Sequence, residues 1–246
     1  MLSIKSISII ILLAFTLLFI ILTNPNQIQE SLTPLCKTYF INLDSNIDRW
    51  NNLKYKNVTR FPAINGKTLN KNQLIKNGII AEKNKLKMGQ IGCALSHIEV
   101  LKLIQKQNEP FGLILEDDVI IPPNFNIHNI KLPQKFDILF LGGCNINGKK
   151  ITENLIKPTN KNGSYNLCWH AVLINKNSAQ KILKMLQPLY RPIDSQIREK
   201  YDELNVYYHY PNLINQDKKL RSNRRDIDGL PQSSYWQKHH LDVSIY

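Results

Sequence analysis

The sequence predicts an α/β domain with a mostly parallel central sheet flanked by helices, and two observations support this prediction. Short apolar runs typical of buried strands recur along the chain, and segments with helical periodicity lie between them. Strands that alternate with helices favour a largely parallel sheet covered by those helices. In such sheets, ligands bind at the carboxyl ends of the strands, so the residues directly after each apolar run are the first candidates for a site.

The composition indicates one hydrophobic core and a basic surface. The chain has 246 residues, of which 43% are apolar, and this excludes global disorder. Its 32 Lys and Arg against 19 Asp and Glu give a net charge of +13, which favours anionic partners such as phosphates, nucleotides or acidic lipids. Nucleic acid is not expected as a partner, because the basic residues are dispersed and no aromatic-basic stacking module is present.

The N-terminal segment has the length and composition of a membrane span. Residues 6–23 form an uncharged run of 18 residues, which as a helix spans roughly 27 Å of a hydrocarbon layer about 30 Å thick. The run is longer than the apolar part of a cleaved signal peptide, which is usually about 7–15 residues, and no A-x-A pattern follows it, so an uncleaved signal-anchor is predicted. The charge of residues 1–5 predicts a cytoplasmic tail and a type II topology. Polar residues 24–35 are predicted as a stem, and residues 36–246 as one domain on the non-cytoplasmic side.

Within this domain, the apolar runs and the helical periodicities define seven elements. The predicted strands are 38–43, 112–115, 136–141 and 169–174. The predicted helices are 89–107, 178–186 and 194–204. Ser178 and Asp194 are expected as the N-caps of the second and third helix, because short oxygen-bearing side chains satisfy the first free N–H groups.

Three adjacent carboxylates follow the second predicted strand. Glu116, Asp117 and Asp118 repel one another and are costly to desolvate, so a neutralising cation is expected beside them. In an extended segment alternate side chains share a face, so Glu116 and Asp118 are predicted to bind one metal ion while Asp117 turns to a backbone or sugar contact. Oxygen ligands suit Mn²⁺ or Mg²⁺, which would hold the diphosphate of a nucleotide donor. The alternative is an acidic turn satisfied by solvent and local N–H groups.

Four motifs in this order resemble glycosyltransferase family 25, which includes lipopolysaccharide glycosyltransferases and collagen galactosyltransferase domains. They are Tyr39-Phe40-Ile41-Asn42-Leu43-Asp44 with Asp48-Arg49-Trp50, Phe61-Pro62-Ala63-Ile64-Asn65-Gly66, Gly89-Gln90-Ile91-Gly92-Cys93-Ala94-Leu95-Ser96-His97, and Leu115-Glu116-Asp117-Asp118-Val119. The resemblance, with weaker echoes at 136–142 and 192–194, covers residues 38–216. It implies a GT-A-like fold, a nucleotide-sugar donor, and Mn²⁺ at a DXD-like motif. UDP-galactose is the donor it suggests. Gln90 and Asn65 stand where the family commonly shows Glu and Asp.

Residues near the first strand and in the first long helix are candidates for donor binding. Asn42, Asp44 and Arg49 lie at or past the end of the first strand, where amide and guanidinium groups could contact the base, ribose or phosphate. The alternative is that Asp44 and Asp48 cap a turn and a helix while Arg49 pairs with them. In the helix, the candidates come from the family pattern and are Gly89, Ser96 and His97. Packing roles are the alternative for these three.

Asp194 is the first candidate for a catalytic base. Transfer with inversion requires a group that takes the proton of the acceptor hydroxyl, and a carboxylate at the start of a helix near the sheet edge would serve. Trp169 and His170 begin a strand. Trp169 could stack on a sugar or base and His170 could meet a phosphate or metal, although core packing is at least as favoured for Trp169. The basic run 218–225 could neutralise a diphosphate or form a solvated tail.

The four cysteines leave two possibilities open. Cys36, Cys93, Cys144 and Cys168 are far apart and show no zinc-module spacing. They could form up to two disulfides in an oxidising compartment, or remain buried thiols.

Together these features predict a membrane-anchored, metal-dependent hexosyltransferase acting on a hydroxyl of a glycan, a lipid-linked sugar or a protein. The alternative is a non-catalytic, membrane-tethered basic binding protein with a structural or Ca²⁺-binding acidic cluster.

Overall fold

The computed structural model describes residues 36–159, 167–217 and 220. The predicted tail, signal-anchor and stem lie outside these residues, as do all residues of the 218–225 basic run except Leu220. Among the helices of the described ranges, none combines the length and apolar character needed to cross a bilayer.

The domain is built on one large sheet and a small two-stranded ribbon. In chain order, the strands are β1 (Cys36–Asn42), β2 (Val58–Pro62), β3 (Phe111–Glu116), β4 (Val119–Ile120), β5 (Ile138–Cys144), β6 (Gly148–Thr152), β7 (Leu155–Pro158), β8 (Leu167–Asn175), β9 (Val206–His209) and β10 (Asn215–Gln216). The large sheet has the order β2-β1-β3-β8-β5-β9-β7-β6, and β10 pairs with β4 in the ribbon. All four predicted strands are confirmed, as β1, β3, β5 and β8.

The sheet is mixed, which corrects the prediction of a mostly parallel sheet. Three neighbouring pairs are parallel, namely β1 with β2, β1 with β3, and β5 with β9. Four are antiparallel, because β8 runs against both β3 and β5, and β7 runs against both β6 and β9. A parallel neighbour needs a long crossover, usually a helix. The chain reaches β8 through the β6 and β7 hairpin instead, so β8 returns in the opposite direction.

Five helices accompany these strands in the described ranges. They are α1 (Ile47–Asn51), α2 (Lys71–Lys76), α3 (Met88–Lys106), α4 (Lys176–Met185) and α5 (Ile193–Arg198). The three predicted helices are confirmed as α3, α4 and α5, but α5 ends early and a 3-10 turn, Tyr201–Glu203, follows it.

Both predicted N-caps are wrong. Asn175 caps α4, accepting a hydrogen bond from Asn177 N at 3.0 Å, while the Ser178 hydroxyl bonds to Asp137. Pro192 occupies the N-cap position of α5, which places Asp194 inside the first turn. Both errors are shifts of two or three residues in where the helix begins, so the oxygen-bearing side chain lies inside the helix.

Each face of the sheet is covered by a different layer. Alternate residues of a strand point to opposite faces, so Ile114 packs in the cluster formed with α3, α4 and α5. Leu113 and Leu115 pack on the other side, where Trp50 of α1 and Phe125 cover them. The last residue of β3, Glu116, has the same parity as Ile114 and therefore faces α3.

Gly92 allows α3 to lie directly on the loop that follows β2. A Cβ atom at this position would stand 2.6 Å from the carbonyl oxygen of Ile64 and 2.8 Å from the backbone nitrogen of Gly66, closer than Cβ atoms approach other atoms in proteins. The Ser96 hydroxyl, one turn later, accepts a hydrogen bond from Ile64 N at 2.8 Å. At the start of the helix, the Gln90 side chain accepts from Lys87 N at 3.0 Å, so glutamine provides the cap that Glu gives at this position. These contacts place the N-terminal half of α3 beside the end of β3.

Candidate active site

One edge of the sheet collects most of the predicted site residues. Since β3 and β5 both run against β8, they point the same way, and the carboxyl ends of β1, β3, β5 and β9 meet at this edge. The amino end of β8 lies at the same edge, where Ala171 pairs with Leu115 of β3. The position agrees with the expectation that polar residues after the strands gather in one place.

The acidic cluster is a strand end followed by a turn. β3 ends at Glu116, and Asp117 and Asp118 form a turn into β4. The alternation of an extended strand therefore does not reach Asp118, which corrects the geometric reason for pairing it with Glu116. The turn is held by β10, because Asp217 N donates to the Asp118 carbonyl oxygen at 2.6 Å and Gln216 Nε2 donates to Asp118 Oδ2 at 2.8 Å.

Asp118 is buried with one carboxylate oxygen unsatisfied. The residue is 8% exposed, and its Oδ1 atom has no hydrogen-bond partner among the described residues. Burial, followed by the neighbouring negative charge of Glu116, raises the pKa of Asp118 to about 7. A carboxylate in this position is costly unless a cation or a proton compensates it.

Glu116 faces α3. His97 Nε2 donates to Glu116 Oε1 at 2.9 Å, and the Cys93 thiol donates to the same oxygen at 3.8 Å. The Glu116 side chain is 25% exposed, whereas the His97 side chain is 1% exposed. His97, predicted as a donor-binding residue, therefore contacts the predicted metal ligand Glu116.

Asp117 bonds to side chains of β1 and α1, whereas the prediction gave it a backbone or sugar contact. Asn42 Nδ2 donates to Asp117 Oδ2 at 2.8 Å, and Arg49 forms an ion pair with Asp117 Oδ1 at 2.8 Å. Burial raises the pKa of Asp117, and the positive charge of Arg49 acts against that shift. Arg49 therefore pairs with Asp117, whereas the alternative interpretation paired it with Asp44 and Asp48.

Arg60 is a member of this network that the sequence analysis missed. Its Nε donates to Asn42 Oδ1 at 3.0 Å, and its guanidinium pairs with Asp44. The register that places Arg60 beside Phe40 depends on the parallel pairing of β2 with β1. The sequence feature that could have identified Arg60 is its position as a charged residue directly before the Phe61-Pro62 motif.

Gly89 and Ser96 lie in the packing between α3 and the loop that follows β2. Gly89 is buried in the first turn of α3, close to Gly66. Ser96 is fully buried, and its hydroxyl also donates to Gly92 O at 2.7 Å. The glycines of this motif therefore bring helix and loop together.

Trp169 and His170 are also buried, at 3% and 1% exposure, so neither has the predicted contact with a sugar or phosphate. Trp169 packs edge-on against His97, with ring centroids 5.6 Å apart. His170 Nε2 donates to Ile214 O at 3.2 Å. Residues at the start of β8 are covered because that strand is central in the sheet.

A disulfide joins two strands at this edge. Cys144 at the end of β5 is bonded to Cys168 at the start of β8, while Cys36 and Cys93 retain their thiols. The backbone of Cys168 has a φ of 76°, in the left-handed region that non-glycine residues rarely adopt. Asp194 reaches the same point, since Cys168 N donates to its Oδ2 at 3.4 Å. Asp194 therefore lies at the edge that carries the acidic turn.

Comparison of the sequence with known proteins shows the family to which the residues of this edge belong. A model of glycosyltransferase family 25, described as an LPS biosynthesis protein family, matches residues 36–197. The chain belongs to glycosyltransferase family 25. The match runs from β1 to α5 and includes both the acidic turn and Asp194, so the family assignment predicted from the four motifs is confirmed.

Three proteins named glycosyltransferase 25 family member are similar to parts of the chain. The one from Anopheles gambiae is 32% identical over 105 residues, covering 37% of this chain and 18% of that protein. Those from Drosophila melanogaster and Aedes aegypti are 27% and 31% identical over 96 and 102 residues. The matched segments amount to less than a fifth of the length of each relative.

The raised pKa of Asp118 predicts a pH-dependent stability in metal-free protein. Its carboxyl has a pKa of about 7 when folded and an ordinary value of 3.8. The folded state binds the Asp118 proton more tightly than the unfolded state does. The stability that this proton contributes to the fold is therefore fully present below about pH 4 and is lost as the pH rises toward 7. We expect the urea midpoint of chelator-treated protein to fall over this range, and Asp118→Asn to flatten the profile. The exposed Asp202→Asn is the control, and parallel profiles for parent and Asp118→Asn would contradict this explanation.

Arg49→Met is expected to lower the free energy of unfolding by about 3–5 kcal/mol, because it leaves the buried Asp117 carboxylate without its cation. The two side chains are only 16% and 10% exposed. Arg191→Met is the matched control, since its ion pair with Glu199 is 54% and 34% exposed and is expected to contribute roughly 0–1 kcal/mol. Urea unfolding measures the free energy of unfolding of both variants. Equally small losses in the two would show that the Arg49–Asp117 ion pair does not stabilise the fold.

Proposed function

We propose that the protein is a metal-dependent glycosyltransferase that transfers a hexose from a UDP-sugar to a hydroxyl of a glycan, lipid-linked sugar or protein. Galactose is the hexose we favour. The family supports sugar transfer from a nucleotide donor. The observation that carries the metal-dependent part is the buried Oδ1 of Asp118, which has no hydrogen-bond partner within the described part of the chain and belongs to a carboxyl that the charge of Glu116 repels.

Glu116 and Asp118 fit a hard divalent cation. Carboxylate oxygens are the ligands preferred by Mn²⁺ and Mg²⁺, and a cation would compensate both the unsatisfied oxygen and the repulsion between the two groups. When bound, the cation supplies charge neutralisation for the diphosphate leaving group. Asp117 is directed elsewhere by Asn42 and Arg49, so it supports the turn and is not proposed as a ligand.

Asp194 is proposed as the base of an inverting transfer. Its carboxylate is oriented by two backbone donors, Ser195 N at 2.7 Å to Oδ1 and Cys168 N at 3.4 Å to Oδ2. In the reaction, Asp194 takes the proton of the acceptor hydroxyl, the hydroxyl oxygen bonds to the anomeric carbon, and the bond from that carbon to the diphosphate breaks. The nucleoside diphosphate leaves with the electron pair.

The network at the end of β1 is proposed to position the donor nucleoside. The bonded side chains of Asn42, Arg49 and Asp117 support this part of the edge from inside the protein. Asp44 is the accessible member of the network, with a side chain that is 78% exposed. An exposed carboxylate fixed by Arg60 can accept hydrogen bonds from ribose hydroxyl groups. We assign Asp44 this contact.

We also propose that residues 6–23 anchor the domain as a single-pass type II membrane protein. The Cys144–Cys168 disulfide supports a non-cytoplasmic domain, because disulfides persist in oxidising compartments. Protease protection in sealed microsomes or spheroplasts tests this topology.

A donor screen tests the function. Purified protein is incubated with a panel of nucleotide sugars in Mn²⁺, Mg²⁺ or chelator, and release of the nucleoside diphosphate is measured with and without sugar acceptors. We expect turnover with UDP-sugars that requires the divalent ion. Thermal stabilisation by donors without turnover under any condition would favour the non-catalytic binding protein.

A further inference from the structure

Three chemically different metal-binding groups meet where α3 passes the end of β3. Cys93 and His97 are one helical turn apart on α3 and therefore share a face. Both contact Glu116 Oε1, His97 Nε2 at 2.9 Å and Cys93 Sγ at 3.8 Å. The three ligand atoms lie within 4.8 Å of one another.

We propose that this Cys93-His97-Glu116 cluster is a zinc site. A thiolate, an imidazole nitrogen and a carboxylate oxygen are ligands that Zn²⁺ accepts, whereas Mn²⁺ and Mg²⁺ prefer oxygen alone. With metal-ligand bonds of about 2.0–2.3 Å, tetrahedral zinc places its ligand atoms about 3.3–3.8 Å apart. The separations of 2.9 and 3.8 Å are close to this range, so small side-chain movements suffice.

The surrounding packing holds the cluster in place. The His97 ring is fixed against Trp169 at an interplanar angle of 81°. Its Nδ1 atom has no partner among the described residues. With Nε2 bound to a metal, the proton of the neutral imidazole lies on Nδ1, so metal binding changes the tautomer of His97. Glu116 and Cys93 are partly exposed, which gives an ion a route from solvent.

The zinc site shares one ligand with the site proposed above for Mn²⁺. Zinc bound to Glu116 Oε1 takes up negative charge of that carboxylate and places a second cation beside the Asp118 site, which weakens binding of Mn²⁺ there. We therefore infer that Zn²⁺ antagonises Mn²⁺ in this protein. The antagonism rests on the proposed function, whereas zinc binding itself depends only on the cluster.

Co²⁺ is a suitable probe, because a thiolate ligand gives cobalt a near-ultraviolet charge-transfer band. We expect one equivalent of Co²⁺ to produce this band in the full chain and Zn²⁺ to remove it. Cys93→Ser should abolish the band, and His97→Gln should weaken Co²⁺ binding about tenfold or more. Cys36→Ser is the matched control, since burial raises the pKa of the Cys36 thiol to about 12 and makes its thiolate scarce at neutral pH.

A second measurement needs no substitution. Iodoacetamide labelling followed by mass spectrometry should show that Zn²⁺ protects Cys93 in the parent protein, while leaving the labelling of Cys36 unchanged. Absence of a thiolate band together with zinc-independent labelling of Cys93 would overturn the zinc site. A band that survives Cys93→Ser would also overturn it.

The outcomes separate this inference from the proposed function. A cobalt band in a protein without donor turnover would support the zinc site and count against the glycosyltransferase proposal. Mn²⁺-dependent transfer that Zn²⁺ does not inhibit, without a cobalt band, would overturn the zinc site alone. When each protein is normalised to its own zinc-free rate, we expect Zn²⁺ to inhibit the parent and to have little effect on Cys93→Ser.

Discussion

Asp118→Asn is expected to lower Mn²⁺-dependent sugar transfer roughly 100- to 1,000-fold, a loss typical of removing a group that stabilises transition-state charge. The side chain keeps its size and its bond with Gln216, but it loses the anionic oxygen that has no partner among the described residues. The variant should fold, because removing a buried negative charge beside Glu116 relieves repulsion. Steady-state rates at saturating Mn²⁺ measure the effect.

The exposed Asp202→Asn is again the matched control, and it should keep the parental rate because it lies outside the acidic turn. A second comparison is the Mn²⁺ concentration needed for half-maximal activity. We expect that concentration to rise in Asp118→Asn wherever residual turnover is measurable. A variant with parental turnover and an unchanged Mn²⁺ requirement would show that Asp118 is not a metal ligand.

Asp194→Asn is expected to reduce kcat by about 100- to 10,000-fold, with little change in KM for the donor. Asparagine can occupy the same position in α5 and accept from Cys168 N through its oxygen, but it cannot take the acceptor proton. Loss in kcat with donor binding retained separates a base from a structural residue. Initial rates at varied donor and acceptor concentrations give both constants.

Ser195→Ala is the matched control for this site. Its hydroxyl bonds to Asp194 Oδ1 at 3.3 Å, so the substitution disturbs the same carboxylate without removing it. A loss of less than tenfold is expected, because the Ser195 and Cys168 backbone donors remain. Equal losses of kcat in Asp194→Asn and Ser195→Ala would indicate that activity depends on the structure of the first turn of α5 and that Asp194 is not the base.

The main elements of the fold could be predicted because burial leaves a local pattern. The apolar runs identified β1, β3, β5 and β8, and the spacing of apolar residues identified α3. Strand direction could not be read from these runs. A buried strand has the same composition whether its neighbours are parallel or antiparallel, so only the β6 and β7 hairpin explains why β8 is reversed.

The acidic cluster follows β3, as its place in the sequence indicated, but the positions of its side chains could not be predicted. Asp117 bonds to the side chains of Arg49 and Asn42, whereas the prediction gave it a backbone or sugar contact. The structure places Asp118 in a turn held by Gln216, a contact between residues 98 positions apart that no local pattern could reveal. The same limit explains why Arg60 was missed.

Residues at the start of β8 show the opposite error. Trp169 was considered for sugar stacking because it follows a turn-rich segment and begins an apolar strand. The antiparallel insertion of β8 between β3 and β5 covers it, so it packs against His97 and Phe140. The disulfide could not be assigned from spacing, since Cys144 and Cys168 become neighbours only through the pairing of β5 with β8.

Calorimetric titration of UDP into the protein tests the central claim most directly. If Glu116 and Asp118 hold a cation that contacts the diphosphate, UDP should bind about 5- to 150-fold more tightly in Mn²⁺ than in chelator. Asp118→Asn should lose most of that difference while Asp202→Asn keeps it. UDP affinity that is the same with and without Mn²⁺, or a manganese effect that persists in Asp118→Asn, would contradict the account.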